Sequence, residues 1–321
     1  MNNAVFAQAQ VAYDSENYGE ALRLYQRVAQ DQVYQLGMGE YGLVYHKIGN
    51  CCVKLGNYSE AIAAYNAATG DSAYAAKATA FYNLGMAYAL MNDFSNAVAN
   101  FKVAVADNSY PHKYKAYTAM GNALMKSGKA AEAGAVFRKA ALDEQNPEPT
   151  RALLNLGVCF MALGRCEDAV TAYETAFQFH MTPAVSNRLY ANLGQAYVSC
   201  GQMKKAVDSF EKALADKSYV LSDSASVDYQ RAIASVSKGE DNQDFEAQKT
   251  SAAVAAGMAV GAGMAAGGAP QNAYAAPDVL GANANPTTTP EQLQQNLPNA
   301  DVQAAQKDAV YDLSNDEAFA K

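Results

Sequence analysis

"YNLGMAYALMNDFSNAVANF", from Tyr82 to Phe101, carries a glycine at its fourth place, an alanine twelve residues later and an aromatic ring at its end. Most of that skeleton returns in "NLGVCFMALGRCEDAVTAY" (Asn155 to Tyr173) and again in "NLGQAYVSCGQMKKAVDSF" (Asn192 to Phe210). The glycines fall at Gly49, Gly85, Gly121, Gly157 and Gly194, at steps of 36, 36, 36 and 37 residues. A fixed period of that size is the mark of stacked structural repeats. Twelve residues after each glycine stands Ala61, Ala97, Ala133, Ala169 or Ala206. An aromatic follows four later (Tyr65, Phe101, Phe137, Tyr173, Phe210), and a second alanine three after that (Ala68, Ala104, Ala140, Ala176, Ala213). Spacings of four and seven put all three on one face of a helix.

Upstream, an apolar residue four before each glycine (Tyr45, Phe81, Tyr117, Leu153, Tyr190) and another three after it (Cys52, Tyr88, Leu124, Phe160, Tyr197) form a second stripe. Each unit therefore reads as two amphipathic helices, and the tyrosines four before the glycine, with Phe81 at the same place, read as core. Gly56, Asn92, Gly128, Gly164 and Gly201 separate them, residue types that accept the left-handed backbone at a helix end. Pro111, Pro147 and Pro183 share one place between units, where proline suits a first helical turn. Ala9, Ala21, Tyr25 and Val28 fit the same frame, although 40 residues separate Ala21 from Ala61, and this makes six units.

At these residues the pattern resembles the tetratricopeptide repeat family, over residues 1 to about 220. Each unit exceeds the family's common length by about two residues, inserted between repeats as in "TGDSAYAAKA" and "ADNSYPHKYKA". Helix pairs of this kind bury their stripes only against neighbours, so six units are expected to form a right-handed, all-α solenoid whose open end needs a cap. "LSDSASVDYQRAIASVSKG", with Ser222 or Ser224 as N-cap, supplies that capping helix and closes a domain over 1–239.

From Glu240 the composition turns to Ala, Gly, Gln, Asn and Pro, and the reading is a disordered tail over 240–321 with short helices near 290–297 and 314–321. Residues 1–239 carry 21 Lys and Arg against 21 Asp and Glu, and the tail 3 against 11, so the net charge of −8 belongs to the tail. A neutral body with an acidic end excludes the basic footprint of a nucleic-acid binder. "SAAVAAGMAVGAGMAAGGAP" is uncharged, but Ala and Gly give too little hydrophobic gain for a membrane span. The five cysteines form no metal or redox motif and read as reduced thiols packed in helices, and with the absence of a cleavable leader they suggest a cytoplasmic setting. The last helical pattern ends at Lys321 without a stop signal, as it would if the chain were the soluble part of a longer, membrane-anchored protein.

No phosphate-binding loop, dinucleotide fingerprint or nucleophile motif is present, and His46, His112 and His180 are too dispersed for a local metal motif. No catalytic residue, cofactor, metal or small-molecule substrate is therefore expected. What remains is a binding face. Residues six, three and two before the glycine, and one, four and five after it, form a further stripe on each first helix. It contains His46, Lys47 and Asn50; Tyr82, Asn83 and Met86; Lys115 and Asn122; Arg151 and Asn155; Arg188 and Asn192. Across the repeats this stripe holds Lys47, Lys54, Lys115, Lys126, Arg151 and Arg188 against one acid, Asp14. Such a groove suits an acidic peptide or protein segment with apolar side chains between its charges.

The resemblance implies a sharper comparison, because some family members grip a C-terminal carboxylate with Lys, Asn, Asn, Lys and Arg. The corresponding places here are His46, Asn50, Asn83, Lys115 and Ala119, a partial match. One repeat pair further on, Asn122, Asn155 and Arg188 hold similar places, with Thr118 and Asn192 as departures. The Asn beside each glycine is a scaffold residue in one reading and a ligand contact in the other. The expectation is a non-enzymatic adaptor, with a self-assembling structural scaffold as the alternative. The tail segment "YDLSNDEAF" is a candidate occupant of the groove in cis.

Overall fold

The structure, a computed structural model, describes residues 1–239 and Leu297. Among the described residues there are thirteen α-helices and no strand. They fall into two compact units, Met1–Ser127 and residues 128–239 together with Leu297. The first holds α1 (Asn3–Asp14), α2 (Tyr18–Ala29), α3 (Glu40–Lys54), α4 (Tyr58–Gly70), α5 (Lys77–Leu90), α6 (Phe94–Ala106) and α7 (Lys113–Lys126). The second holds α8 (Ala130–Ala141), α9 (Pro149–Ala162), α10 (Cys166–Ala176), α11 (Pro183–Ser199), α12 (Met203–Leu214) and α13 (Asp223–Lys238). Within each unit every helix packs on the one before and the one after it, the arrangement expected of stacked helix pairs. The expected tail and its two short helices lie outside the described residues, apart from Leu297.

The opening stretch shows how a pair is closed. A Cβ on Gly85 would sit 2.7 Å from Cε1 of Phe101, so only glycine lets α5 and α6 approach until that ring is fully enclosed. Gly49 meets Tyr65, Gly157 meets Tyr173 and Gly194 meets Phe210 in the same way. The turn between the helices is equally economical. Asn92 takes the left-handed conformation at φ +60°, and the N–H groups of Asn92 and Asp93 donate to the carbonyls of Ala89 and Tyr88. That satisfies the end of α5, and the Asp93 carboxylate then caps α6 by accepting from the Asn96 N–H. Three residues thus end one helix and begin the next.

The two extra residues per repeat also have a use. Four linkers carry Asp-x-x-Tyr, at Asp31–Tyr34, Asp71–Tyr74, Asp107–Tyr110 and Asp216–Tyr219. The Asp71 carboxylate accepts from the N–H groups of Gly39, Gly42 and Ala73 at 2.9, 2.9 and 3.0 Å. These bonds, led by that from Gly42, hold it below the ordinary carboxylate range. Tyr74 is thereby laid on α3 at Gly42, where a Cβ would fall 2.5 Å from its ring.

Several expectations are refined. Ser222 is the N-cap of α13, accepting from the Ala225 N–H, and Gly239 ends that helix at φ +76°. Ala9, Ala21, Tyr25 and Val28 of the first repeat are buried. Of the prolines, Pro183 opens α11, but α9 opens at Pro149 rather than Pro147, and Pro111 precedes α7 by two residues. Tyr45, Phe81, Tyr117 and Tyr190, read as core, are only partly buried, whereas Leu153 is fully enclosed. The reading of five reduced thiols is corrected: Cys166 and Cys200 form a disulfide with their Cα atoms 5.6 Å apart, leaving Cys51, Cys52 and Cys159 free and buried. Their separation of 34 residues hides the pair from any local motif. With a disulfide present, cysteine usage no longer argues for a reducing compartment. No helix among the described residues is long and apolar enough to cross a membrane.

Candidate peptide-binding groove

In the first unit the stripe on α3, α5 and α7 is more deeply covered than its polar residues suggest. His46, Tyr82, Asn83, Met86 and Asn122 are only 7, 4, 7, 1 and 3 % exposed. Asn83 Nδ2 donates to His46 Nε2 at 2.8 Å and to Asn50 Oδ1 at 3.1 Å, and the Tyr65 hydroxyl donates to the same Asn50 oxygen at 2.8 Å. With Nε2 accepting, the imidazole proton sits on Nδ1 and points to the Tyr74 hydroxyl at 2.7 Å. Both ring nitrogens are therefore occupied. Burial, with the Lys47 charge beside it, pushes the His46 pKa down to about 4. This corrects the place given to His46 in a carboxylate clamp, since it is a neutral scaffold residue.

Tyr82 and Met86 are likewise not groove surface. The Tyr82 ring lies between Phe101 and Tyr110, at centroid distances of 5.7 and 6.0 Å. The linker tyrosines are the residues that sequence reasoning missed. Tyr74 and Tyr110 fold back over the stripe of α3 and α5 and close the places three before the glycine. The recurring Asp-x-x-Tyr was the available signal. What stays accessible in this unit is half-buried Lys47 and Asn50 and exposed Lys115, while Lys54 and Lys126 lie 5.8 and 5.9 Å over the rings of Tyr18 and Phe94.

The buried imidazole makes a proton-linked prediction. Its folded pKa is below the unfolded value, so its contribution is present above about pH 6.5 and is lost as pH falls toward 4, at up to ~1.4 kcal/mol per pH unit. Urea unfolding across that range is expected to show this slope in the wild type and to lose it in His46→Gln. Equal slopes would disprove the linkage. Asn83→Ala, which removes the donor to His46 and Asn50, is expected to cost about 1–2 kcal/mol by the same measurement.

In the second unit the stripe runs along α9 and α11. Arg151 is exposed, Asn155 is 8 % exposed, and Arg188 and Asn192 are half-buried. Burial pushes the Arg188 pKa down to about 10, with the neighbouring Arg151 charge acting in the same direction and Tyr219 opposing it. At neutral pH Arg188 is charged, and it has no ion pair among the described residues. The apolar stripe residues between the cations, Leu154, Val158, Ala191 and Val198, are buried. Gln195, also on the stripe, is claimed by the capping helix, donating to Ser224 and Asp228 of α13 at 3.2 Å each.

Tetratricopeptide repeat models match residues 6–76, 53–111 and 118–178, and a second such model matches 188–215. The chain belongs to the tetratricopeptide repeat family. Solved structures agree with that fold. The C-terminal part of a tetratricopeptide repeat protein from Cytophaga hutchinsonii is similar at TM-score 0.55 and 16 % identity, over 65 % of this chain and 78 % of that one. MamA protein is similar at TM-score 0.50 and 25 % identity, over 58 % of this chain and 98 % of that one. No curated protein matches. Tetratricopeptide repeats act as interaction modules, and the packed faces of each pair hold the recurring glycine, alanine and aromatic positions of the period.

Proposed function

We propose that this tetratricopeptide repeat protein is a non-enzymatic adaptor that binds an acidic peptide or protein segment through the stripe on its first helices. The observation that carries the reading is the Arg151 and Arg188 pair: two neighbouring cations, one of them half-buried without a described counter-ion, set among Leu154, Val158 and Ala191. Burying a cation without a partner is costly, and a carboxylate from a ligand would relieve that cost. Half-buried Asn192 supplies an amide group beside it for an extended backbone. In the first unit Lys47, Asn50 and Lys115 offer the same chemistry on a shallower surface.

Selection of a random peptide display library against the full chain tests the proposal. Enriched peptides should combine Asp or Glu with Leu, Phe or Met, and their affinity should fall about tenfold or more between about 50 and about 500 mM salt. Arg188→Glu should weaken them by a similar factor. Salt-insensitive binding, or enrichment without acids, would sink the proposal.

A further inference from the structure

Among the described residues, metal-ligating side chains gather in a group of three where α10 begins and α11 ends. Cys166 is the first residue of α10, Glu167 follows it, and Cys200 caps α11. The two sulfurs and a carboxylate oxygen of Glu167 all lie within 4.8 Å of one another, and Cys166 Sγ is 3.3 Å from Glu167 Oε2. Four-coordinate zinc, with bonds of about 2.3 Å to sulfur and about 2.1 Å to oxygen, sets such atoms about 3.6–3.8 Å apart. Once the sulfurs are no longer bonded to each other, adjustments of about 1–2 Å bring all three onto one ion. The other cysteines differ. Cys51, Cys52 and Cys159 are 0, 1 and 0 % exposed and join no such group among the described residues.

We propose that Cys166, Glu167 and Cys200, when the bridge is reduced, form a binding site for one thiophilic divalent cation of the zinc class. Two thiolates and a carboxylate suit such an ion better than magnesium or calcium, which take oxygen ligands. Glu167 is exposed, so a water from the solvent side completes the fourth position. The start of α10 favours the thiolate form of Cys166, because the N–H groups of the first turn carry partial positive charge. The neighbouring Arg165 guanidinium is paired with the Asp168 carboxylate, which offsets its repulsion of an incoming cation. Bridge and cation use the same two sulfurs, so each excludes the other. Exchange with a dithiol reductant breaks the S–S bond: two electrons and two protons pass to the sulfurs, and the reductant leaves as its own disulfide. The cation then displaces both thiol protons to solvent. A disulfide oxidant reverses the sequence: it takes two electrons from the thiolates and two protons from solvent, becomes two thiols, and the ion leaves as the S–S bond forms. In either state α10 stays tied to α11, by a covalent bond or by coordination.

Cobalt(II) is the probe that tests the site, because its bonds to thiolate absorb in the near ultraviolet, where cobalt on oxygen and nitrogen ligands does not. The full chain, reduced with a dithiol and then freed of it without air, should take up one equivalent of Co2+ with that band and yield it to Zn2+. The unreduced chain should show no band. Cys166→Ala should abolish it. Glu167→Gln, which keeps both sulfurs and therefore the bridge, should weaken Co2+ binding to the reduced chain about tenfold or more, and it decides the matter if Cys166→Ala fails to fold. No band in the reduced chain, a band that survives Cys166→Ala, equal Co2+ affinity in Glu167→Gln, or the same band without reduction would each overturn the proposal.

Discussion

Gly157→Ala is expected to destabilise the second unit by about 2–3 kcal/mol, a large loss for a single methyl group. The added Cβ would fall inside contact distance of the whole near edge of the Tyr173 ring, 2.6 Å from Cζ and 2.7 Å from Cδ1. That ring is 1 % exposed and has no space to retreat into. Either α9 and α10 separate, or the ring leaves its rotamer. Gly70→Ala is the control. It closes α4 with nothing within 4 Å of the added atom and no left-handed backbone, so it should be neutral or stabilising by up to about 1 kcal/mol. Repeat stacks do not unfold strictly as one unit, so urea unfolding should be paired with hydrogen exchange on α9 and α10. The mechanism has its own signature. Tyr173→Leu and Gly157→Ala together should cost clearly less than the sum of the two, since the smaller side chain makes room for the methyl. Strict additivity would show that the glycine matters for some reason other than this contact.

That glycine illustrates what was legible from the sequence. Any repeat whose helices must touch at one point needs a small residue there and a ring opposite, so Gly85 with Phe101 and Gly157 with Tyr173 announce themselves through their period. The left-handed turns at Asn92 and Gly164 and the cap at Ser222 are legible for the same reason, since each rests on local backbone chemistry. The groove was legible only in part. Spacing identifies which residues share a helical face, but not what the next linker lays across it. Tyr82, Asn83 and Met86 occupy the predicted stripe and are nevertheless covered, because Tyr74 and Tyr110 reach back from loops that helical periodicity does not describe. His46 shows the electrostatic form of the same gap: its type allows a cation, and its partners make it neutral. Arg151 and Lys115 are exposed and Lys47 and Arg188 half-buried, because long charged side chains carry their heads out of whatever covers their stems.

The disulfide gives the largest expected effect. It links the first residue of α10 to the residue that caps α11, tying the second helix of one repeat to the first helix of the next. Stability in a stack resides largely in such nearest-neighbour interfaces, and a cross-link spanning 34 residues removes about 3–4 kcal/mol of chain entropy from the unfolded state. Cys166→Ala with Cys200→Ala should therefore lower the urea midpoint of the second unit markedly, and reductant should bring the wild type down to the same midpoint while leaving the variant where it is. Thiol counting provides the independent check. In the native protein the free cysteines should be slow to react, since burial pushes Cys51 and Cys52 up to about 12 and 11 and raises Cys159 as well. Unfolding without reductant should release the three thiols of Cys51, Cys52 and Cys159, and unfolding with reductant all five. Five thiols in the unreduced, unfolded chain would remove the bridge, and with it the expected difference between repeat interfaces that carry a covalent link and those that rest on packing alone.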